Sequence, residues 1–166
     1  MSFDHQLFIP NKRGYLTGEK RPKVDCILCS VLNNDPKVDN LLIWKNDFVA
    51  ASINLYPYNS GHILLFPVRH IEETVAYTDE EVMQMHKLNC FAISVLKKLY
   101  GTDSFNIGYN VGFHSGASIA HVHQHIVPRY QRELGFIDVI SGSKIMIEDP
   151  RITMEKLKRA FENFKI

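Results

Sequence analysis

Apolar positions change their period several times along the chain, and each change marks an element. Leu41-Leu42-Ile43-Trp44, Phe48-Val49-Ala50-Ala51-Ser52-Ile53 and His62-Ile63-Leu64-Leu65-Phe66-Pro67-Val68 are short runs rich in β-branched and aromatic residues. They predict three strands. Tyr58-Asn59-Ser60-Gly61 reads as the turn between the last two. Pro67 falls at a strand end, where a missing N–H is tolerated. From Thr78 to Tyr100 the period becomes helical, with Val82, Met85, Leu88, Ala92, Val95 and Leu99 recurring on one face. Thr78-Asp79-Glu80-Glu81 supplies a capping box at its start, and Gly101 a left-handed stop. Two further strands are expected around Phe105–Asn110 and His121–Pro128, and a short amphipathic helix over Thr153–Phe164.

Strands, one long helix, strands and a closing helix predict an α+β fold. Its sheet should be mostly antiparallel and five-stranded, with short links that favour hairpins over crossovers. Residues 1–25 show no period but carry Pro, Gly, Lys and Arg with Phe3, Phe8 and Tyr15. They read as an N-terminal arm on a single domain spanning 1–166.

Charge narrows the function classes. Nineteen Lys and Arg against 18 Asp and Glu leave a net +1. A nucleic-acid polymer held on a broad basic face is therefore not expected. No apolar run is long enough to span a membrane, and the first residues lack the layout of a signal peptide, so a cytoplasmic location is expected. Three cysteines argue against a disulfide framework. Cys26 and Cys29 form a C-x-x-C pair, in a cytosolic chain usually a metal or redox element. Cys90, inside the long helix, is expected to pack in the core, and His86 and His5 to have no special role.

Three of the eight histidines fall in His121-Val122-His123-Gln124-His125. In a strand they share one face, with Val122, Gln124 and Ile126 on the other. Three imidazoles in register make a poor core, because each buried ring has two nitrogens that need partners. Two sites fit: a three-histidine zinc centre with an open position, or a catalytic row in which one imidazole attacks and the others orient it.

His121-Val-His-Gln-His-Ile-Val-Pro-Arg129 resembles the motif of the histidine-triad superfamily. Gly61-His62 resembles the superfamily's Gly-His strand start, and Asn110 with Ser115-Gly116-Ala117-Ser118 precedes the triad at the family spacing. The resemblance implies a fold that pairs as a homodimer and cleaves nucleotides at the α-phosphate through a nucleotidyl-histidine. It casts His123 as nucleophile, with His125 and His62 flanking the phosphate. Ser118, Ser115 and the amides near Gly116 would hold phosphoryl oxygens, and Asn110 would face the leaving group. Asn54 would hold the ribose, with Ile53 and Leu55 walling the base. The chain offers no Walker loop and no carboxylate cluster for magnesium, so imidazoles, hydroxyls and amides must meet the phosphate charge. His114 lies in the loop expected to meet phosphate.

The C-x-x-C pair resembles the zinc-bearing branch of the superfamily. That resemblance implies a structural zinc held by Cys26, Cys29, His70 and His121. Leu7-Phe-Ile-Pro-Asn-Lys-Arg-Gly-Tyr15 resembles the arm of bacterial diadenosine-tetraphosphate phosphorylases, with Phe8 and Asn11 where that arm has Trp; Phe136–Lys144 resembles them too. A dinucleoside-polyphosphate phosphorylase or hydrolase is thus the leading expectation, with Arg129 and Lys144 meeting distal phosphates. A nucleoside phosphoramidase, a non-catalytic nucleotide-binding protein and a three-histidine zinc hydrolase are the alternatives.

Overall fold

A short helix, α1 (Ile27–Leu32), leads into three strands, β1 (Leu42–Lys45), β2 (Val49–Ile53) and β3 (Ile63–Pro67). The long helix α2 (Asp79–Tyr100) follows, then β4 (Ser104–Tyr109), β5 (Gln124–Arg129) and the closing helix α3 (Pro150–Phe161). The structure is a computed structural model and describes residues 22–131 and 148–165. Most of the expected arm, with His5 and Leu7–Tyr15, and the Phe136–Lys144 segment lie outside the described residues.

The five strands form one antiparallel sheet in the order β1-β2-β3-β5-β4. Three links join neighbouring strands, as expected. The link through α2 does not: β5 sits between β3 and β4, pairing with both. Leu64 of β3 and Gly108 of β4 therefore flank His125 on either side.

β2 and β3 are buried along their whole length, because both faces of the sheet are covered. On one face Val49, Ala51, Ile63, Leu65 and Ile126 pack against Met85, Leu88, Ala92, Val95 and Leu96 of α2 and Leu157 and Phe161 of α3. On the other, Ala50, Leu64 and Phe66 meet Leu28 and Leu32 of α1. The histidines lie on this second face.

α2 starts and stops as expected. The Thr78 hydroxyl accepts from the Glu81 amide, Glu81 reaches back, and Gly101 closes with φ of 63°. Its inward stripe differs from the expected one. Val82 and Leu99 are exposed, and Leu96 is buried in their stead. At 3.6 residues per turn Val82 falls off the Leu88–Ala92 stripe, and Leu99 stands in the final turn. At the start of the helix the inner positions are filled by Glu81 and Gln84, both buried. Glu81 takes a bidentate pair from Arg69, at 3.0 Å from Nε and 2.7 Å from Nη2. That pair fixes the chain just after β3, next to His70. Cys90 is exposed, not in the core, with its sulfur 3.6 Å from His86 Nε2.

One element is new, and two begin three residues from their expected starts. α1 was not anticipated. β5 begins at Gln124, so His121 and His123 lie in the segment leading into the strand. α3 starts at Pro150 behind an Asp149 cap, three residues earlier than the amphipathic pattern suggests, because Pro is favourable in a helix's first turn.

Candidate functional site

His62 ends the turn after β2, and its ring is fully buried. The Tyr58 main-chain N–H donates to His62 Nδ1 at 3.0 Å. A main-chain amide can only donate, so in the neutral ring the proton sits on Nε2. His62 Nε2 faces His125 Nδ1 at 3.0 Å and donates to it. His125 Nε2 lies 3.4 Å from the Asn110 side-chain amide nitrogen. Tyr58 stacks on His62 with ring centres 5.0 Å apart and tilts over His125 at 5.9 Å.

His123, also buried, turns Nδ1 to the main-chain oxygen of His121 at 2.7 Å. A carbonyl only accepts, so Nδ1 carries the proton and Nε2 keeps the lone pair. Its ring centre lies 4.9 Å from that of His125. Burial pulls His123 below the ordinary imidazole range, against the opposing pull of its bond to His121. Neutral imidazole is the nucleophilic form.

His123, His125 and Asn110 open onto a cavity of about 320 Å³. Gly116 and Ser118 contribute to its polar lining, and Asn54 and Tyr56 stand nearby in the lining. The apolar lining comes from Ile27, Leu28 and Val31 of α1 with Val38, Leu41 and Ile53; Leu55 also borders it. Asn54 accepts from the Tyr56 amide at 3.0 Å and brings its Nδ2 within 3.4 Å of His62. Not every expected residue converges here. The exposed Ser115 turns its hydroxyl to the Gly112 oxygen, and Arg129, at the far end of β5, donates to Asn106 at 2.8 Å. His114 is exposed beside Ser115, and Lys144 lies outside the described residues. Missed by sequence reasoning were Tyr58 and the whole α1 wall. In the sequence Tyr58 carries only the signal of a turn residue.

His121 parts from the other two triad rings. Its ring is edge-on to Phe66 and to His70, and its Nε2 donates to the Pro67 oxygen at 2.9 Å. Its Nδ1 lies 3.5 Å from both Cys26 Sγ and Cys29 Sγ, and Cys29 Sγ lies 3.4 Å from His70 Nδ1. The four ligand atoms fall within 4.8 Å of one another and could hold a metal ion. A tetrahedral ion with sulfur at ~2.3 Å and nitrogen at ~2.0 Å sets its S–N edges at about 3.5 Å. The observed separations are those edges. The Pro67 contact fixes which His121 nitrogen faces the cluster, as outer partners of metal-bound histidines do. Burial lowers His121 to about 4. Burial, followed by interaction with Cys26, pushes Cys29 up to about 11.

Residues 35–132 match the family model described as HIT domain. The match takes in His62, His70 and His121 to His125, while Cys26, Cys29 and α1 precede it. An AP-4-A phosphorylase of Mycobacterium tuberculosis is 38% identical to this chain over 109 residues, which make up 65% of this chain and 56% of that relative. An asymmetrical bis(5'-nucleosyl)-tetraphosphatase of Schizosaccharomyces pombe is 27% identical over 103 residues, 62% of this chain and 57% of that relative. The match thus spans a little over half the length of each of these relatives. A Zn-bound histidine triad family protein of Mycobacterium smegmatis shares the fold, with a TM-score of 0.66 at 20% identity, covering 83% of this chain and 94% of that one.

Proposed function

The chain belongs to the HIT domain family, and on that premise we propose that it cleaves dinucleoside polyphosphates, such as diadenosine tetraphosphate, at the α-phosphate through a nucleotidyl group carried on His123. The observation that carries this reading is the His123 Nδ1 contact to the His121 oxygen at 2.7 Å, which leaves Nε2 as the lone-pair nitrogen of a ring that lines the cavity. The similarity to an AP-4-A phosphorylase and a bis(5'-nucleosyl)-tetraphosphatase supports the substrate class.

In the proposed reaction Nε2 of His123 attacks the α-phosphorus as the P–O bond to the leaving nucleoside polyphosphate breaks. The leaving oxygen takes the electron pair. His125 and the Asn110 amide would face that oxygen and steady its charge. Then a phosphate oxygen, or a water that gives up a proton to solvent, attacks the same phosphorus, the P–N bond breaks, and its pair returns to Nε2. Ser118 and the backbone at Gly116 would hold the non-bridging oxygens. Such donors stabilise the charge that develops in the transition state. Asn54 would meet the ribose, and Ile53 and Leu55 with the α1 residues would enclose the base.

Zinc is the ion we propose for the cluster, since two thiolates and two imidazoles suit it. Bound there, it would tie α1 and the chain after β3 to the segment that carries His121. A homodimer along β4 fits an edge strand whose Ile107 and Tyr109 are exposed. No described helix is long and apolar enough to cross a membrane, and free Cys26, Cys29 and Cys90 suit a reducing cytoplasm.

The test is to incubate the full chain with diadenosine tetraphosphate, with and without inorganic phosphate, and identify the products. ADP with ATP marks phosphorolysis, and AMP with ATP marks hydrolysis. An intact substrate alongside rapid cleavage of adenosine 5'-phosphoramidate would sink the reading in favour of a phosphoramidase.

A further inference from the structure

α1 begins inside the metal cluster. Cys26 is its N-cap, with Sγ accepting from the Cys29 amide at 3.4 Å, and Cys29 lies in its first turn. Six residues are too few for a helix to persist without outside support. Leu28 and Leu32 pack on Ala50, Leu64 and Phe66, Lys45 Nζ donates to the Leu32 oxygen at 3.0 Å at the helix end, and the helix start meets His70 and His121 through its two sulfurs. Ile27, Leu28 and Val31 of this helix form part of the apolar lining of the cavity. The histidine end has further anchors that need no metal: His121 Nε2 donates to the Pro67 oxygen, the Val122 amide donates to Ile71 at 2.7 Å, and β5 is laddered on both sides.

We propose that Cys26 and Cys29 are positioning residues for the nucleobase: zinc held by them with His70 and His121 keeps α1 in place as the base wall, so zinc and nucleotide bind cooperatively through the base. The inference rests on the reading of the cavity as a nucleotide site. Coupling between two ligands is reciprocal, so it is measurable from either side. Because α1 lines the apolar part of the cavity and not the histidine end, a ligand without a base should feel little of it.

The test uses the zinc-loaded full chain and a competing chromophoric chelator. Zinc affinity is measured alone, with saturating AMP, and with saturating ribose 5-phosphate. AMP is expected to tighten zinc by about tenfold and ribose 5-phosphate by no more than about twofold, a coupling of the usual size. Cys29→Ser should weaken AMP by a similar factor, leave ribose 5-phosphate nearly unchanged, and keep the far-ultraviolet circular dichroism of the parent. If that variant unfolds, the chelator competition on the parent chain still decides. AMP that leaves zinc affinity unchanged, or ribose 5-phosphate that tightens zinc as much as AMP does, overturns the proposal while the nucleotide reading stands. Failure of AMP to bind the zinc-loaded chain overturns both.

Discussion

His123 donates its Nδ1–H to the main-chain oxygen of His121 at 2.7 Å, so the residue in the metal cluster sets the tautomer of the residue on the cavity. The Nε2 of His123 thus holds its lone pair without a base having to remove a proton from it. His123→Ala is therefore expected to lower turnover of diadenosine tetraphosphate by about 10³-fold or more, the usual cost of losing a nucleophile. AMP should still bind, because the apolar lining and Asn54 are untouched. Steady-state kinetics with AMP titration calorimetry checks this, and a variant with more than a tenth of parental turnover would refute the nucleophile assignment.

The cluster makes a separate prediction about metal content. Its S–N separations of 3.4 and 3.5 Å suit a closed four-ligand site. Purified full chain should carry about one zinc per chain. A ligand that binds only the folded state adds to stability by mass action, so chelation should lower the thermal midpoint by several degrees, and zinc should restore it. Elemental analysis near zero together with an unchanged midpoint would rule the site out.

Acid should act on the metal-free chain through the same residue. His121 is fully buried, and burial lowers it from 6.5 to about 4. Above pH 6.5 both folded and unfolded chains hold the ring neutral, and nothing changes. Below it the unfolded chain takes up a proton that the fold refuses, so stability falls with pH. The loss should approach about 2 kcal/mol near pH ~5. His123, lowered by burial, adds in the same direction. Urea unfolding at pH ~7.5 and ~5 reads it directly, and equal stabilities would contradict the buried, neutral assignment.

The parts legible in the sequence were those with a local chemical signature. The capping box at Thr78 and the stop at Gly101 depend only on neighbouring residues, and both are present. The C-x-x-C spacing and the alternating histidines announced themselves by residue type. What was hidden depended on distant partners. α1 carries no Ser, Thr, Asp or Asn cap; a cysteine sulfur plays that part, and its apolar residues are explained only by Leu64 and Phe66 across the sheet. Tyr58 is a turn residue in sequence, yet its amide sets the His62 tautomer and its ring covers the pair. Cys90 falls on the outer side of α2, a placement that only the packing direction of the helix decides.

Gly61, just before His62, is where backbone geometry and site meet. Its φ is +78°, and a Cβ there would stand 2.9 Å from Cε2 of Tyr100 and 3.1 Å from Cγ of Pro128. Tyr100 cannot swing away freely, since its hydroxyl is held by Glu148 at 2.6 Å. Nor can Pro128 move alone, because its carbonyl accepts from Asn59 at 2.8 Å within the same turn. Gly61→Ala thus adds the left-handed backbone penalty to a steric clash, each about 1–2 kcal/mol. Relief by shifting the turn would carry His62 away from His125, which it now meets at 3.0 Å. The variant should unfold about 2–4 kcal/mol more easily and lose turnover beyond what its unfolded fraction explains, with Gly61→Ser no better. Denaturant unfolding paired with kcat at low temperature, where the variant is folded, separates the two effects. Parental stability and turnover in Gly61→Ala would show that neither the turn nor the His62–His125 contact depends on this glycine.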